Sequence, residues 1–265
     1  MKNWKFVAFV VALVLAVPHV IAAQGQPAQF VQVTSVSVKL GMQAEFEDYV
    51  KKITAGLNKI NSPLRLSASQ VALGASPTTY LFSVPFEKWA DEDLFDVIPQ
   101  VLTKAYGDLE GARILKTGRA AIDSIQISVY RLLPNLSTKP RTFDPPMPHS
   151  LAIRTEVDPT MTSEYEYYLS RVKAAQEQTP ESPTAIRRVS VQGPAGVYIT
   201  TQPFGKYAER DSWPVTEQLL RKAYGDEEAR RILEQGAKGV RNRVTLVLSF
   251  RPDLSRLTVA APSSK

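Results

Sequence analysis

The sequence has no cysteine, and that absence removes several classes of function together. Disulfide scaffolds, thiolate metal centres, thioether-attached haem and cysteine nucleophiles are all excluded. Histidine is almost as scarce, with only His19 and His149 present, so a His-rich zinc or copper site is excluded too. There is no Gly-rich phosphate loop, no Ser nucleophile elbow and no paired-carboxylate motif. Beyond the N-terminus no stretch approaches the ~20 apolar residues that span a bilayer. Stability must come from buried apolar surface, for which 44% hydrophobic residues are ordinary material.

The N-terminus carries one clear signal. Lys2 and Lys5 precede an apolar run from Phe6 to Val17, and Ala22 and Ala23 supply small residues behind it. That layout predicts a secretory signal peptide over residues 1–23, with an uncleaved anchor as the rival reading. The run is about 12 residues, short for a spanning helix. The expected location is therefore secreted or periplasmic, with no membrane association after cleavage. Net charge is +6, about +4 once Lys2 and Lys5 are gone. Basic and acidic residues are interspersed, so no nucleic-acid partner is expected.

One pattern dominates the rest. Lys104 to Asp108 recurs as Lys222 to Asp226, 118 residues later. The same offset pairs Tyr80 with Tyr198, Phe86 with Phe204 and Gly118 with Gly236. Nearer the start of each half an offset of 119 fits: Phe46 with Tyr165, Tyr49 with Tyr168, Gly74 with Gly193. A period this long means domain-sized copies rather than a solenoid. The expected organisation is a first unit over 30–137, a Pro-rich linker over 138–150, a second unit over 151–258 and a disordered tail over 259–265.

Within the first copy, Phe30 to Leu40 has strand-like composition. Phe46, Tyr49, Val50, Ile53 and Leu57 form the stripe of an amphipathic helix. Leu64 to Leu73 and Thr78 to Val84 read as strands joined by the turn residues from Gly74 to Pro77. A helix is expected from about Glu87 to Tyr106, with Gly107 in a left-handed conformation and Asp108 capping the next helix. Ile125, Ile127 and Val129 then alternate with polar residues, a half-buried strand. The order β-α-β-β-α-β is a ferredoxin-like unit, whose bare sheet face must be buried, most simply against the other copy. The predicted fold class is α+β, two tandem ferredoxin-like units packed sheet to sheet as an intrachain pseudo-dimeric barrel.

Two such units in one chain resemble the dimeric α+β barrel superfamily. Its members include antibiotic-biosynthesis monooxygenases, EthD-like proteins and haem-binding chlorite-dismutase-like proteins. The resemblance implies a ligand cavity between sheet and helices. It supplies no motif by which functional residues transfer.

Candidate ligand contacts are aromatic: Tyr49 and Tyr168 on the first helices, Tyr80 and Tyr198 on strands, Trp89 and Trp213 near the second helical segments. Ordinary packing is the competing reading for all six. Arg154 and Glu156 share one face of a strand; if interior they form a functional pair, and if exposed a solvated one. His149, assigned to the linker, is the only candidate haem ligand in the mature chain. The function expected from sequence is an exported small-molecule-binding or structural module without conventional catalysis or cofactor, its ligand apolar or aromatic. The alternatives are a cofactor-free monooxygenase acting on phenolic substrates, and haem binding or breakdown. An open cavity in one half, lined by Tyr or Trp with an Arg or Asp inside, would favour ligand binding or catalysis; a closed apolar core in both halves would favour a structural module.

Overall fold

The computed structural model describes residues 27–95, 97–138 and 147–257. The segment expected to be a signal peptide, most of the expected linker and the expected tail lie outside those residues. The first half runs β1 (Phe30–Val38), α1 (Gln43–Lys59), β2 (Ser67–Leu73), β3 (Thr79–Phe86), α2 (Ile98–Tyr106), α3 (Asp108–Ala121) and β4 (Ile122–Leu132). The second repeats the order: β5 (His149–Val157), α4 (Thr162–Glu177), β6 (Ile186–Gln192), β7 (Val197–Phe204), α5 (Thr216–Tyr224), α6 (Asp226–Lys238) and β8 (Val240–Phe250).

The strands form one closed barrel in the order β1-β3-β2-β8-β5-β7-β6-β4, every neighbour antiparallel. A barrel closed within one chain is as expected, but its halves do not meet sheet to sheet. The halves join by their edges, β2 to β8 and β4 to β6, because an unpaired edge strand leaves a row of unsatisfied backbone groups and closure removes it. The bare faces become the lumen, and the helices cover the outside.

Local chemistry corrects three other expectations. The helix predicted from Glu87 is broken: a 3-10 turn covers Trp89–Leu94 and α2 starts only at Ile98. Pro99 lacks the N–H that a helix interior requires and occupies the first turn instead. Gly107 has φ +84°, the left-handed geometry expected, yet it is also the N-cap of α3. Asp108 is the first helical residue and makes no capping bond. Its charge still favours the positive end of the helix dipole. His149 is not a linker residue but opens β5, paired with Phe204 and Ser249.

After its last strand each half reaches across to the other. Leu133 N–H donates to the Arg187 carbonyl (2.9 Å) and Thr138 N–H to that of Ala185 (3.0 Å). Reciprocally, Arg256 crosses to the first half, bonding Asn58 Oδ1 (2.6 Å), the Ser62 carbonyl (2.8 Å) and the Leu64 carbonyl. Arg251 grips both carboxylate oxygens of Glu47 on α1 at 2.6 and 2.8 Å, and Glu47 also accepts from the Tyr80 hydroxyl (2.8 Å).

Arg251 foremost, with help from Tyr80, holds the Glu47 carboxyl below its ordinary value. A depressed carboxyl stabilises the fold above the unfolded value, about 4.3, and that stability is lost as pH falls through the lower folded value. Thermal melts of wild type and Arg251→Ala should therefore differ by about 1 kcal/mol at pH 7 and converge below about pH 4. A gap that stays constant down to pH 3 would mean that the pair contributes nothing through its charge.

Candidate functional site

Between sheet and helices of the first half lies a cavity of about 350 Å³. Its floor is the outward face of β1 and β3, with Gln32, Thr34, Val36, Phe82 and Val84. Its roof is the α1 stripe, Phe46, Tyr49, Val50, Ile53 and Leu57, as the three- and four-residue spacing places them. Leu115 and Arg119 come from α3, and Val101 from α2. Val97, Ile98 and Ile125 line the cavity yet are 57%, 41% and 54% exposed, so they mark its mouth.

Polar groups are few. Tyr49 is buried at the α1–α3 contact, where Gly118 lets the helices approach. A Cβ on Gly118 would stand 2.1 Å from the Tyr49 ring, so only glycine fits. Burial raises the Tyr49 hydroxyl above its ordinary pKa, while the positive charge of Arg119 pulls it back. Arg119 is exposed, and its guanidinium forms no hydrogen bond or ion pair among the described residues. An apolar chamber with a cation at its opening that is unpaired among the described residues can seat an aromatic or aliphatic body whose polar end faces that cation.

The matching space in the second half has a different lining. Where the first half has Ala68, Leu57, Val84 and Ile125, the second has Arg187, Gln176, Gln202 and Arg243. Arg187 is buried between β6 and α4, donating to Gln176 Oε1 (2.7 Å) and to the Leu136 carbonyl. Burial pushes its guanidinium down to about 10. The asymmetry between the halves is chemical: apolar in one, hydrogen-bonded polar groups in the other.

The structure does not gather the aromatic candidates at one place. Tyr49 lines the cavity. Tyr80 is fully buried beside Phe46 with its hydroxyl committed to Glu47, an acceptor that with burial pushes it up to about 12. Tyr198 is committed likewise to Glu166 (2.9 Å). Tyr168 packs on Tyr165 and against Gly236. Trp89 lies on Phe30 and Phe86, and Trp213 edge-on to Phe204. Arg154 pairs with Glu156 on the lumen side of β5, both about one-third exposed, so the pair is interior by face and solvated by position. Arg119, Gln32 and Thr34 went unnoticed in the sequence. The signal available was the departure of Arg119 from its counterpart, Ala237.

Haem does not fit these residues. His149 is sandwiched by Phe204 and Tyr207, with Nδ1 3.3 Å from Ser249 Oγ. The large apolar cavity lies in the other half and has no His, Cys or Met in its lining. Its one phenol has a raised pKa, which disfavours the phenolate that iron would need.

No family model matches the sequence, and no curated protein matches it. Solved structures do. A provisionally assigned monooxygenase from Lactobacillus acidophilus superposes with a TM-score of 0.50 at 11% identity, over 86% of this chain and 95% of its own. Another, from Fusobacterium nucleatum, gives 0.50 at 8% identity, over 90% and 99%. A chlorite dismutase from Candidatus Nitrospira defluvii, solved with imidazole, gives 0.50 at 10%, over 84% and 91%. These neighbours are described as enzymes, which overturns the expectation of a module without conventional catalysis. At such identities the likeness is one of shape: the chain has the fold of the dimeric α+β barrel superfamily, with one polypeptide supplying the whole barrel.

Proposed function

We propose that the first-half cavity is the active site of a cofactor-free oxygenase acting on an aromatic phenol. The observation behind this reading is the pairing of a roomy apolar chamber with a guanidinium at its mouth that has no partner among the described residues. A phenol seated there with its oxygen toward Arg119 ionises more readily, because a nearby positive charge favours the anion. The electron-rich ring of that anion is itself the reductant for O2. The protein's work is to orient the ring, hold the oxyanion and exclude water. Tyr49 keeps its proton at neutral pH, and so acts as a hydrogen-bond donor rather than as a base. The described neighbours named monooxygenases agree with this chemistry.

The wider setting is proposed with it. Residues 1–23 are read as an export signal. The two halves are read as duplicated ferredoxin-like units, supported by matched strand register: Val36 pairs with Tyr80 and Ile125, and Thr155 with Tyr198 and Arg243.

The test is oxygen uptake by EDTA-treated protein given a panel of two- and three-ring phenols. Uptake without added metal or flavin is expected. Arg119→Ala should lower kcat/KM about tenfold, about 1.4 kcal/mol, a modest figure because the group is exposed. Absence of both uptake and binding across the panel would overturn the proposal.

A further inference from the structure

We propose that the barrel lumen is a second binding site, one for a small oxyanion held by Arg188. It is separate from the first-half cavity and does not depend on the oxygenase reading. Arg187 and Arg188 are consecutive on β6, so their side chains take opposite faces of the strand. Arg187 faces α4, where it bonds Gln176; Arg188 therefore faces the lumen. There it is flanked by Leu132 of β4 and Ile199 of β7.

Arg188 has no hydrogen bond or ion pair among the described residues, and its Nε is shut off from solvent without a partner. Burial pushes it down to about 10, with no neighbouring carboxylate to oppose the shift. The carboxylate on the lumen face of β5, Glu156, is taken by Arg154; Arg154 is level with Arg188, both pairing with Ile199 of the intervening β7, and Glu156 lies two residues further along. Arg188 as a whole is only partly buried, but a cation whose Nε is shut off from water without a partner is costly unless something supplies the missing negative charge.

The lumen has room and the right lining. Its wall residues, Val33, Leu81, Ser83, Ile199 and Thr201 among them, are only partly buried, so they do not fill it. Eight strands enclose an interior that side chains can just fill or that can hold one small ligand. Strand directions alternate around the ring, and β2 lies four places from β6. The two therefore face one another with the same polarity. Ser69 on β2 pairs with Phe250 as Arg188 on β6 pairs with Leu132, which sets Ser69 across the lumen from Arg188. Ser67, Ser69 and Ser150, with Met147, His149, Pro203 and Phe250, line a cavity of about 300 Å³ that Arg188 itself does not line. A guanidinium with serine hydroxyls across the lumen from it is the chemistry that recognises carboxylate or phosphate oxygens.

The experiment is calorimetric titration of the full chain with inorganic phosphate and, separately, with acetate, in a chloride-free buffer. Saturable one-to-one binding of at least one anion is expected, and the arm that responds tells phosphate from carboxylate. Arg188→Gln should weaken binding at least about tenfold, since a charged hydrogen-bond donor is lost, and Arg119→Ala should leave it unchanged. Ser69→Trp, which fills the opposite wall, should abolish it and serves as the second variant if Arg188→Gln does not fold. Absence of saturable binding by either anion, binding untouched by Arg188→Gln or by Ser69→Trp, or loss of binding in Arg119→Ala would each overturn the proposal.

Discussion

Residues 27–138 and 147–257, produced as separate chains, are expected to aggregate when alone and to co-purify when made together. Each half by itself presents two naked edges, β2 and β4 in the first and β6 and β8 in the second, which in the whole chain pair across the seams. Each also exposes its lumen face. The crossing segments add to the loss. Without its partner the first half lacks Arg251 and Arg256, leaving Glu47 unpaired and the carbonyls of Ser62 and Leu64 unsatisfied. The second lacks the strap from Leu133 to Thr138 that bonds β6 at Ala185 and Arg187. Domains are typically stable by only about 5–15 kcal/mol, and a buried polar group stripped of its partner costs about 1–3 kcal/mol. Several such losses, together with the open seams, exceed that margin. Size-exclusion chromatography of each half and of the mixture checks this. Two soluble monomers that ignore each other would sink it.

What the sequence made legible was local. The α1 stripe from Phe46 to Leu57, the positive φ of Gly107 and the close approach at Gly118 follow from residue type and spacing, because each is decided within a few residues or by one helix contact. A barrel was expected from the paired units, but the edges by which it closes were not legible. Pairing of β2 with β8 joins residues about 180 apart, Ser69 with Phe250, and edge pairing leaves no periodic mark. The 3-10 turn at Trp89–Leu94 was legible in principle, since Pro99 argues against a helix running through it, but the helix-forming residues around it masked the break. The cavity was the least legible feature. Its apolar lining includes Leu57, Val84 and Ile125, which stand where Gln176, Gln202 and Arg243 stand in the other half. Those exchanges are visible on the page of sequence; the space they line is visible only when α1 is laid over the sheet. The aromatic candidates failed to converge for a related reason. Tyr80 and Tyr198 lie on helix-facing positions, as their alternation indicates, but each spends its hydroxyl on a nearby Glu.

Val84→Trp should separate function from stability with opposite signs. Val84 lies on β3 with its side chain in the cavity floor, 7% exposed, and the space above it is empty. An indole there has apolar walls from α1 and α2 to pack against, and cavity filling commonly adds about 0.5–2 kcal/mol. The melting temperature of the variant should equal or exceed that of the wild type. The same ring takes the volume that a two- or three-ring phenol needs, so oxygen uptake should fall at least about 100-fold, equivalent to about 2.7 kcal/mol. The counterpart of Val84 in the second half, Gln202, is itself buried, so Gln202→Trp should destabilise by overpacking, about 1–3 kcal/mol, while the first-half chamber keeps its shape. Melting curves and uptake rates of the two variants, set side by side, decide the matter. Activity retained in Val84→Trp would place the chemistry elsewhere than this cavity. A large loss of stability in that variant would mean that the chamber is not the open space its lining defines.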